Sequence, residues 1–262
     1  MHIALLMTNT DESEFAQARP KDGEKFTTMI QSVRPDWRVT VFAVKDGVFP
    51  AEDARFDGWL IGGSPASVHD SDPWVGQLFA LIRRLVAEGQ PIFGACFGHQ
   101  AIAMALGGEV GKNPGGWVFG LVETEIEGKP IRLYGSHLEQ VLQLPQGAVV
   151  LGGTAECPVG SFAIPGRVMT TQYHPEMSHG FISDLVEEYA SDLPPEVAKA
   201  FAAMQVALET AQFEASVERA ARQHEQAVVA EKEAFITELK ALIAKLEGQV
   251  AHSGLIRPGI PI

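Results

Sequence analysis

The sequence has few cysteines, few basic residues and no long apolar run. Only Cys96 and Cys157 occur among 262 residues, so no disulfide framework is expected and a reducing, cytoplasmic location is predicted. No stretch approaches the roughly 18–20 apolar residues that a membrane-spanning helix needs. The apolar N-terminus lacks the basic flank and the cleavage site of a signal peptide. No membrane association is therefore expected.

The charge balance also excludes a class of partners. The chain has 20 Lys and Arg against 33 Asp and Glu, a formal net charge of −13. Without a basic cluster, this balance predicts no nucleic-acid partner.

Hydrophobic residues make up 46% of the chain, enough for the core of a sizeable domain. The glycine-rich turn after residue 61 is not a phosphate loop, because no Lys-Ser/Thr pair follows it. We expect no metal and no cofactor.

Short apolar runs alternate with a stretch of helical periodicity. The runs cover residues 3–7, 39–44, 58–61 and 91–95. Between the last two runs, residues 73–88 have helical spacing and follow Asp72, a good N-cap residue. This alternation predicts an α/β fold with a mostly parallel sheet and helices on both faces. Residues 109–169 contain more turns and short strands, and we expect them to form the far edge of the sheet.

The composition changes near residue 190. No glycine or proline occurs between Pro195 and Gly248, and apolar residues recur at helical intervals such as Val228 and Phe235. The pattern predicts a domain over residues 1–190 and a C-terminal helical extension over residues 191–262. Two interpretations stay open: the helices pack on their own domain, or their near-heptad spacing makes them a homodimerisation or partner-docking arm.

The first candidate for chemistry is a Gly-x-Cys-x-Gly motif at residues 94–98, which follows an apolar run and precedes a helical stretch. Ser or Cys in this arrangement forms a nucleophile elbow, a sharp turn that exposes the nucleophile at a helix N-terminus. The partial positive charge of the helix end favours a thiolate and a developing oxyanion. Cys96 is therefore the candidate nucleophile. A buried structural cysteine flanked by packing glycines is the alternative.

Two further segments fit the same chemistry. His174 follows another apolar stretch, and Glu176 comes two residues later; a histidine can exchange protons with a cysteine nucleophile while a carboxylate orients the ring. Alone, His-Pro-Glu is a weak motif. The glycines at 62 and 63 permit a backbone conformation that directs an N–H into the site. Amides of Gly63 or Ser64, with that of Phe97, are the candidate oxyanion hole, although a plain turn would have the same sequence.

Together these segments resemble the class I, triad-type glutamine amidotransferase family over residues 1 to about 190. The Gly-x-Cys-x-Gly-x-Gln at 94–100, the His-Pro-Glu at 174–176 and the Gly-Ser-Pro at 63–65 match its three motifs in order. Within the family, the chain most resembles the stand-alone proteins that are similar to the glutaminase domain of GMP synthase. The resemblance implies a flavodoxin-like fold and a γ-glutamyl thioester on the cysteine. Its substrate-contacting positions are Gly94, Gln100, Ser136 and His137. Glu139 stands where the family usually has Asp.

These motifs predict a cysteine amidohydrolase that releases ammonia or an amine from glutamine or a γ-glutamyl amide. Its partner would be this small-molecule substrate and, if the ammonia is passed on, a separate synthetase subunit. An independent γ-glutamyl peptide hydrolase is the alternative, followed by a non-catalytic binding protein that retains the fold. The intact Cys96, His174 and Glu176 argue against the last of these.

Overall fold

The computed structural model describes residues 1–189 of the 262-residue chain. Its strands are β1 His2–Met7, β2 Arg38–Ala43, β3 Gly58–Ile61, β4 Ile92–Ala95, β5 Glu109–Lys112, β6 Val118–Ile126, β7 Lys129–His137, β8 Glu139–Gln143, β9 Val149–Gly152, β10 Ser161–Ile164 and β11 Val168–Thr171. Its α-helices are α1 Glu14–Gln17, α2 Asp22–Val33, α3 Pro73–Ala87, α4 Phe97–Ala105 and α5 His179–Tyr189. A 3₁₀ turn covers Val44–Asp46.

Seven strands form the central sheet in the order β2-β1-β3-β4-β11-β10-β9. Strands β2, β1, β3, β4 and β11 run parallel, and β10 and β9 add antiparallel pairs at one edge. The predicted mostly parallel α/β architecture is confirmed.

Both faces of the sheet are buried, as the continuous apolar strands predicted. Along β1, Ala4 and Leu6 belong to one core cluster, whereas Ile3 and Leu5 belong to another. Successive side chains of a strand point to opposite faces, so the two clusters lie on the two sides of the sheet. The first cluster contains residues of α3 and α4, and the second contains Phe26 of α2.

Helix α3 follows the sequence prediction closely. Asp72 is the N-cap residue and Pro73 takes the first helical position, where a missing N–H costs nothing. The Asp72 side chain makes no capping hydrogen bond, so the proline and the apolar face define this helix better than the cap does. Its buried face includes Leu78, Ile82 and Leu85.

The middle of the chain differs from the prediction that it would form the far edge of the sheet. Only β9 and β10 lie at that edge, whereas β11 is inserted beside β4. Strands β5 and β8 form a separate two-stranded sheet, and β6 and β7 form a long hairpin. The hairpin pairs nine residues of each strand in register. These four strands therefore make their backbone hydrogen bonds in two antiparallel pairs that are separate from the main sheet.

The predicted helical extension over residues 191–262, with its homodimerisation alternative, lies outside the described residues. Within residues 1–189, no helix is both long enough and apolar enough to cross a membrane.

Candidate active site

Three neighbouring strands end at the same edge of the sheet, and each is followed by one of the candidate segments. Strands β3, β4 and β11 are adjacent and parallel. The Gly-Ser turn follows β3, Cys96 follows β4, and His174 lies three residues beyond β11. The backbone N–H of Cys96 donates to the Thr171 carbonyl at 2.9 Å. The parallel sheet thus gathers segments that are up to 112 positions apart at its carboxyl edge, where α/β folds bind ligands.

Cys96 occupies the sharp turn that the Gly-x-Cys-x-Gly motif predicts. Its φ of 50° and ψ of −106° lie in a region that non-glycine residues rarely adopt. It is the N-cap residue of α4, so its side chain sits at the positive end of that helix. The residue is 5% exposed, and it lines a cavity at the carboxyl edge of the sheet.

Close backbone contacts explain both glycines of the motif. A Cβ on Gly98 would lie 2.4 Å from the carbonyl oxygen of Ile61, and a Cβ on Gly94 would lie 2.7 Å from the carbonyl oxygen of Gly98. Strand β3, strand β4 and helix α4 can approach this closely only where side chains are missing. Gly94 was predicted to contact substrate. It lies instead beneath the turn, outside the cavity lining, so its role here is to let the helix pack on the strand.

His174 and Glu176 form a buried hydrogen-bonded pair. Nδ1 of His174 lies 2.8 Å from Oε1 of Glu176, and the two residues are 6% and 8% exposed. If Nδ1 carries the proton that binds the carboxylate, Nε2 is the nitrogen left to accept a proton. The backbone N–H of His174 donates to the Tyr134 carbonyl at 2.8 Å, which ties this loop to β7.

Cys96 and Glu176 together determine the charge of the imidazole. Burial lowers the pKa of His174, but charge interactions and hydrogen bonds with Cys96 and Glu176 outweigh it and raise the pKa well above the ordinary 6.5. Two acidic partners favour the protonated ring. The site therefore favours a charged His174 next to Cys96, and a charged histidine beside the thiol is one way in which a cysteine nucleophile is activated.

The glycine-rich turn after β3 lies against both His174 and Cys96. A Cβ on Gly63 would lie 2.9 Å from Cε1 of His174 and 3.6 Å from Cβ of Cys96. Gly63 and Ser64 line the cavity, and their N–H groups, like that of Phe97, have no hydrogen-bond acceptor among residues 1–189. The Phe97 side chain is 1% exposed and packs on Trp74, so only its backbone can serve the site. The three predicted donors thus lie near the thiol and are unpaired.

Of the four predicted substrate contacts, Gly94 lies outside the cavity lining and the other three belong to it. Gln100, Ser136 and His137 line the cavity, and the Ser136 carbonyl oxygen lies 4.0 Å from Sγ of Cys96. The Gln100 amide already donates to the Glu139 carbonyl at 2.7 Å and to Gln172 at 3.2 Å. Burial lowers the pKa of His137 to about 4. This direction favours the neutral ring of His137 in the protein without substrate.

His99, beside the elbow, is a core residue. It is fully buried and its Nδ1 lies 2.8 Å from Oγ1 of Thr170. Burial lowers the pKa of His99 to about 3, with a smaller effect of His137. Because this ring stays neutral and lies outside the cavity lining, it has no contact through which to act on a substrate.

Sequence reasoning missed several cavity residues. The carboxylate of Glu139 accepts a hydrogen bond from Oγ of Ser67 at 2.7 Å, so the longer side chain in place of Asp reaches the loop after β3. At the other end, Asp22 accepts from Asn9 at 2.8 Å and pairs with Lys25 at 3.1 Å. The polar run that begins at Thr8, directly after β1, was the available signal for this second cluster.

The two cysteines should differ sharply in reactivity. Cys157 is fully buried, and burial raises the pKa of its thiol to about 11. Cys96 lines the cavity, and the pKa of the neighbouring His174 is raised. We expect brief treatment of folded protein with iodoacetamide at neutral pH to modify Cys96 alone, and peptide mass spectrometry to find Cys157 modified only after denaturation. Equal labelling of both thiols in folded protein would contradict this description of the site.

The chain is similar in sequence to two kinds of known protein. A gamma-glutamyl peptidase 3 of Arabidopsis thaliana is 29% identical over 164 residues, which cover 56% of this chain and 66% of that protein. A glutamine-hydrolyzing GMP synthase of Aeropyrum pernix is 37% identical over 134 residues, 48% of this chain and 25% of that protein. The chain thus spans just under two thirds of the first relative and a quarter of the second.

The fold is also shared with a solved structure. A glutamine amidotransferase of Thermotoga maritima superposes with a TM-score of 0.64 at 18% identity, covering 82% of this chain and 92% of that one. At this identity the similarity concerns the fold, and it agrees with the flavodoxin-like prediction. The model of the family described as glutamine amidotransferase class-I matches residues 26–186. With this match over more than half of its length, the chain belongs to the class-I glutamine amidotransferase family.

Proposed function

We propose that this protein hydrolyses the γ-amide bond of glutamine or of a γ-glutamyl amide through a thioester on Cys96. The observation that carries the proposal is the buried His174–Glu176 pair at 2.8 Å, placed beside a cysteine in a strained turn at a helix N-terminus. A structural cysteine needs neither the unusual backbone conformation nor a charged partner. A nucleophile at an elbow turn has this backbone conformation, and it is activated by a neighbouring base.

In the proposed reaction, the sulfur of Cys96 attacks the γ-carbonyl carbon and forms a C–S bond. The carbonyl oxygen becomes an oxyanion, which accepts hydrogen bonds from the unpaired N–H groups of Ser64 and Phe97. His174 then gives its proton to the amide nitrogen, and the C–N bond breaks to release ammonia or an amine. Water, deprotonated by His174, attacks the thioester, and glutamate leaves as the thiol is restored. Glu176 stabilises the imidazolium at each stage.

The proposal has two forms, in which the substrate is either glutamine or a larger γ-glutamyl amide. The size of the cavity favours the larger amide. Its volume is about 390 Å³, in the range of pockets that enclose ligands larger than one amino acid. Besides Cys96 and His174, its lining includes Asn9, Lys25 and Phe181, so the cavity is larger than the surroundings of the thiol alone. A relative named gamma-glutamyl peptidase fits this form. If free glutamine is the substrate instead, a separate synthetase subunit would take the ammonia, as the similarity to GMP synthase suggests.

Steady-state release of glutamate tests both forms. The panel contains glutamine, γ-glutamyl dipeptides and γ-glutamyl alkylamides, with asparagine and α-glutamyl isomers as controls for chain length and linkage. Rapid hydrolysis of one extended γ-glutamyl compound identifies an independent hydrolase. Slow hydrolysis of glutamine alone identifies a glutaminase that depends on a partner. No release of glutamate from any γ-glutamyl compound would overturn the proposal.

The charge on Glu176 should set the alkaline limit of activity. The imidazolium of His174 is the acid that protonates the leaving group, and the carboxylate helps to raise its pKa. In Glu176→Gln that contribution is lost, so the imidazolium deprotonates at lower pH. We expect the alkaline limb of the kcat/KM profile to move to lower pH and the maximum to fall about 10- to 100-fold.

The matched control for this substitution is Glu88→Gln. Glu88 is an exposed carboxylate at the C-cap of α3, so its profile should superimpose on that of the wild type. An unshifted alkaline limb in Glu176→Gln would mean that this carboxylate does not act on the imidazolium.

A further inference from the structure

Thr8 is a fully buried residue directly after β1 whose side chain is bonded to the candidate oxyanion loop. Its Oγ1 lies 3.1 Å from the carbonyl oxygen of Gly62 and 2.9 Å from that of Gly63. A threonine hydroxyl has one proton and donates to one of these carbonyls at a time. Residues 1–189 offer the hydroxyl no other acceptor, so it is committed to this turn.

We propose that Thr8 is a positioning residue that holds the Gly62–Gly63 carbonyls away from the cavity, so that the N–H groups of Gly63 and Ser64 face the reacting carbonyl oxygen. This inference rests on the proposed function, because it concerns the donors that stabilise the oxyanion in that reaction. Sequence motifs do not include Thr8, which precedes the loop by more than fifty positions.

Peptide geometry connects the two sides of the loop. In a planar trans peptide, the C=O of one residue and the N–H of the next point in opposite directions. The Gly63 carbonyl is directed to Thr8, so the Ser64 N–H points away from Thr8. Gly63 and Ser64 line the cavity, whereas Thr8 does not. A Cβ on Gly63 would lie 3.6 Å from Cβ of Cys96, so the proposal takes the side away from Thr8 to be the side of the cavity.

Glycine makes such a restraint necessary. Gly62 and Gly63 have no Cβ, so their peptide units can rotate through conformations that other residues cannot adopt. A rotated Gly63–Ser64 peptide would present a carbonyl oxygen, instead of an N–H, to the developing negative charge. Rotation would also remove the shorter of the two contacts of the Thr8 hydroxyl, the one to the Gly63 carbonyl at 2.9 Å, and leave only the contact to the Gly62 carbonyl at 3.1 Å.

A second contact joins this restraint to the other donor. The Gly62 carbonyl also accepts the N–H of Gly98 at 3.0 Å, in the first turn of α4. Phe97, whose N–H is the other candidate donor, directly precedes Gly98. One carbonyl thus contacts both the Thr8 hydroxyl and the helix that carries the second donor. Thr8 therefore fixes the orientation of the turn and also its position relative to the nucleophile elbow.

The test compares Thr8→Val, Thr8→Ala and Thr8→Ser on the best γ-glutamyl substrate of the wild type. Valine keeps the shape and loses the donor, alanine avoids crowding if valine disturbs folding, and serine keeps the donor. We expect kcat to fall about 10- to 100-fold in the valine and alanine variants, a partial loss relative to complete removal of an oxyanion donor. KM should change less than about threefold, and serine should restore most of kcat.

The iodoacetamide reaction of Cys96 separates positioning from general damage. Alkylation occurs at a saturated carbon and forms no oxyanion, so its rate should stay near that of the wild type in all three variants. Thr27→Val is the matched control, because Thr27 donates its hydroxyl to the Gly23 carbonyl within α2; it should leave kcat unchanged.

Two results would overturn the assignment of Thr8: a kcat within about threefold of wild type in both Thr8→Val and Thr8→Ala, or a parallel fall of kcat and alkylation rate. Wild-type protein without Cys96-dependent hydrolysis would instead reject the proposed function itself.

Discussion

Cys96→Ala is expected to lower hydrolysis of every γ-glutamyl compound by about 10⁴-fold or more, because it removes the proposed nucleophile and leaves only binding and the proposed oxyanion donors. Its stability should change little. Cys96 is 5% exposed and at the cavity wall, so the smaller side chain creates no closed void. Its φ of 50° remains equally strained for alanine. Glutamate release and thermal unfolding should be measured on the same preparation.

The control for this variant is Cys157→Ala. Cys157 is fully buried and lies outside the cavity lining, so it should retain hydrolysis within about twofold while losing about 1 kcal/mol of stability from the missing contacts. Hydrolysis that persists in Cys96→Ala, or that disappears in Cys157→Ala without unfolding, would show that the wrong cysteine has been assigned.

Gly98→Ala is expected to have the second-largest effect, on stability and activity together. The added methyl carbon would lie 2.4 Å from the Ile61 carbonyl oxygen and 2.9 Å from the Ile61 carbonyl carbon. These are backbone atoms of β3, so helix α4 has to move away from the sheet. We expect a loss of about 1–3 kcal/mol from overpacking. A displacement of Cys96 by a fraction of an ångström to 1 Å should cost about 10²-fold in kcat/KM.

Gly76→Ala provides the matched glycine control. Gly76 is an exposed residue inside α3, and no atom lies within 4 Å of the position of its Cβ. Alanine there should raise the free energy of unfolding by about 0.5–1 kcal/mol, because glycine is the poorer helix former, and should leave activity unchanged. Denaturant unfolding of both variants measures the contrast. Equal stability of Gly98→Ala and wild type would mean that α4 packs less tightly on β3 than described.

Local signals made much of the fold predictable. The four apolar runs correspond to β1–β4, and helix α3 lies where its spacing and its proline place it. The parallel sheet then brings residues after β3, β4 and β11 to one edge. Positions of Cys96, His174 and the Gly-Ser turn could be anticipated because each follows an apolar run, and that is a property of nearby residues.

The remaining features depend on contacts between distant segments. The Glu127-Gly128 turn, with both residues at positive φ, is a local signal for the β6–β7 hairpin. Nothing local indicates that this hairpin lies apart from the main sheet, or that the Tyr134 carbonyl binds the His174 backbone. The Ser67–Glu139 hydrogen bond joins residues 72 positions apart, and Thr8 reaches Gly63 across 55 positions. Gly94 was assigned to substrate binding from its place in a motif, whereas its neighbours in space give it a packing role.

The most direct test of the central claim is mass spectrometry of protein quenched with acid during turnover of a γ-glutamyl substrate. The proposed reaction predicts a γ-glutamyl group on the peptide that contains Cys96. It should disappear when the substrate is exhausted and should be absent in Cys96→Ala. Turnover without an adduct on Cys96, under conditions where a pre-steady-state burst of ammonia or amine release precedes the release of glutamate, would contradict a thioester mechanism.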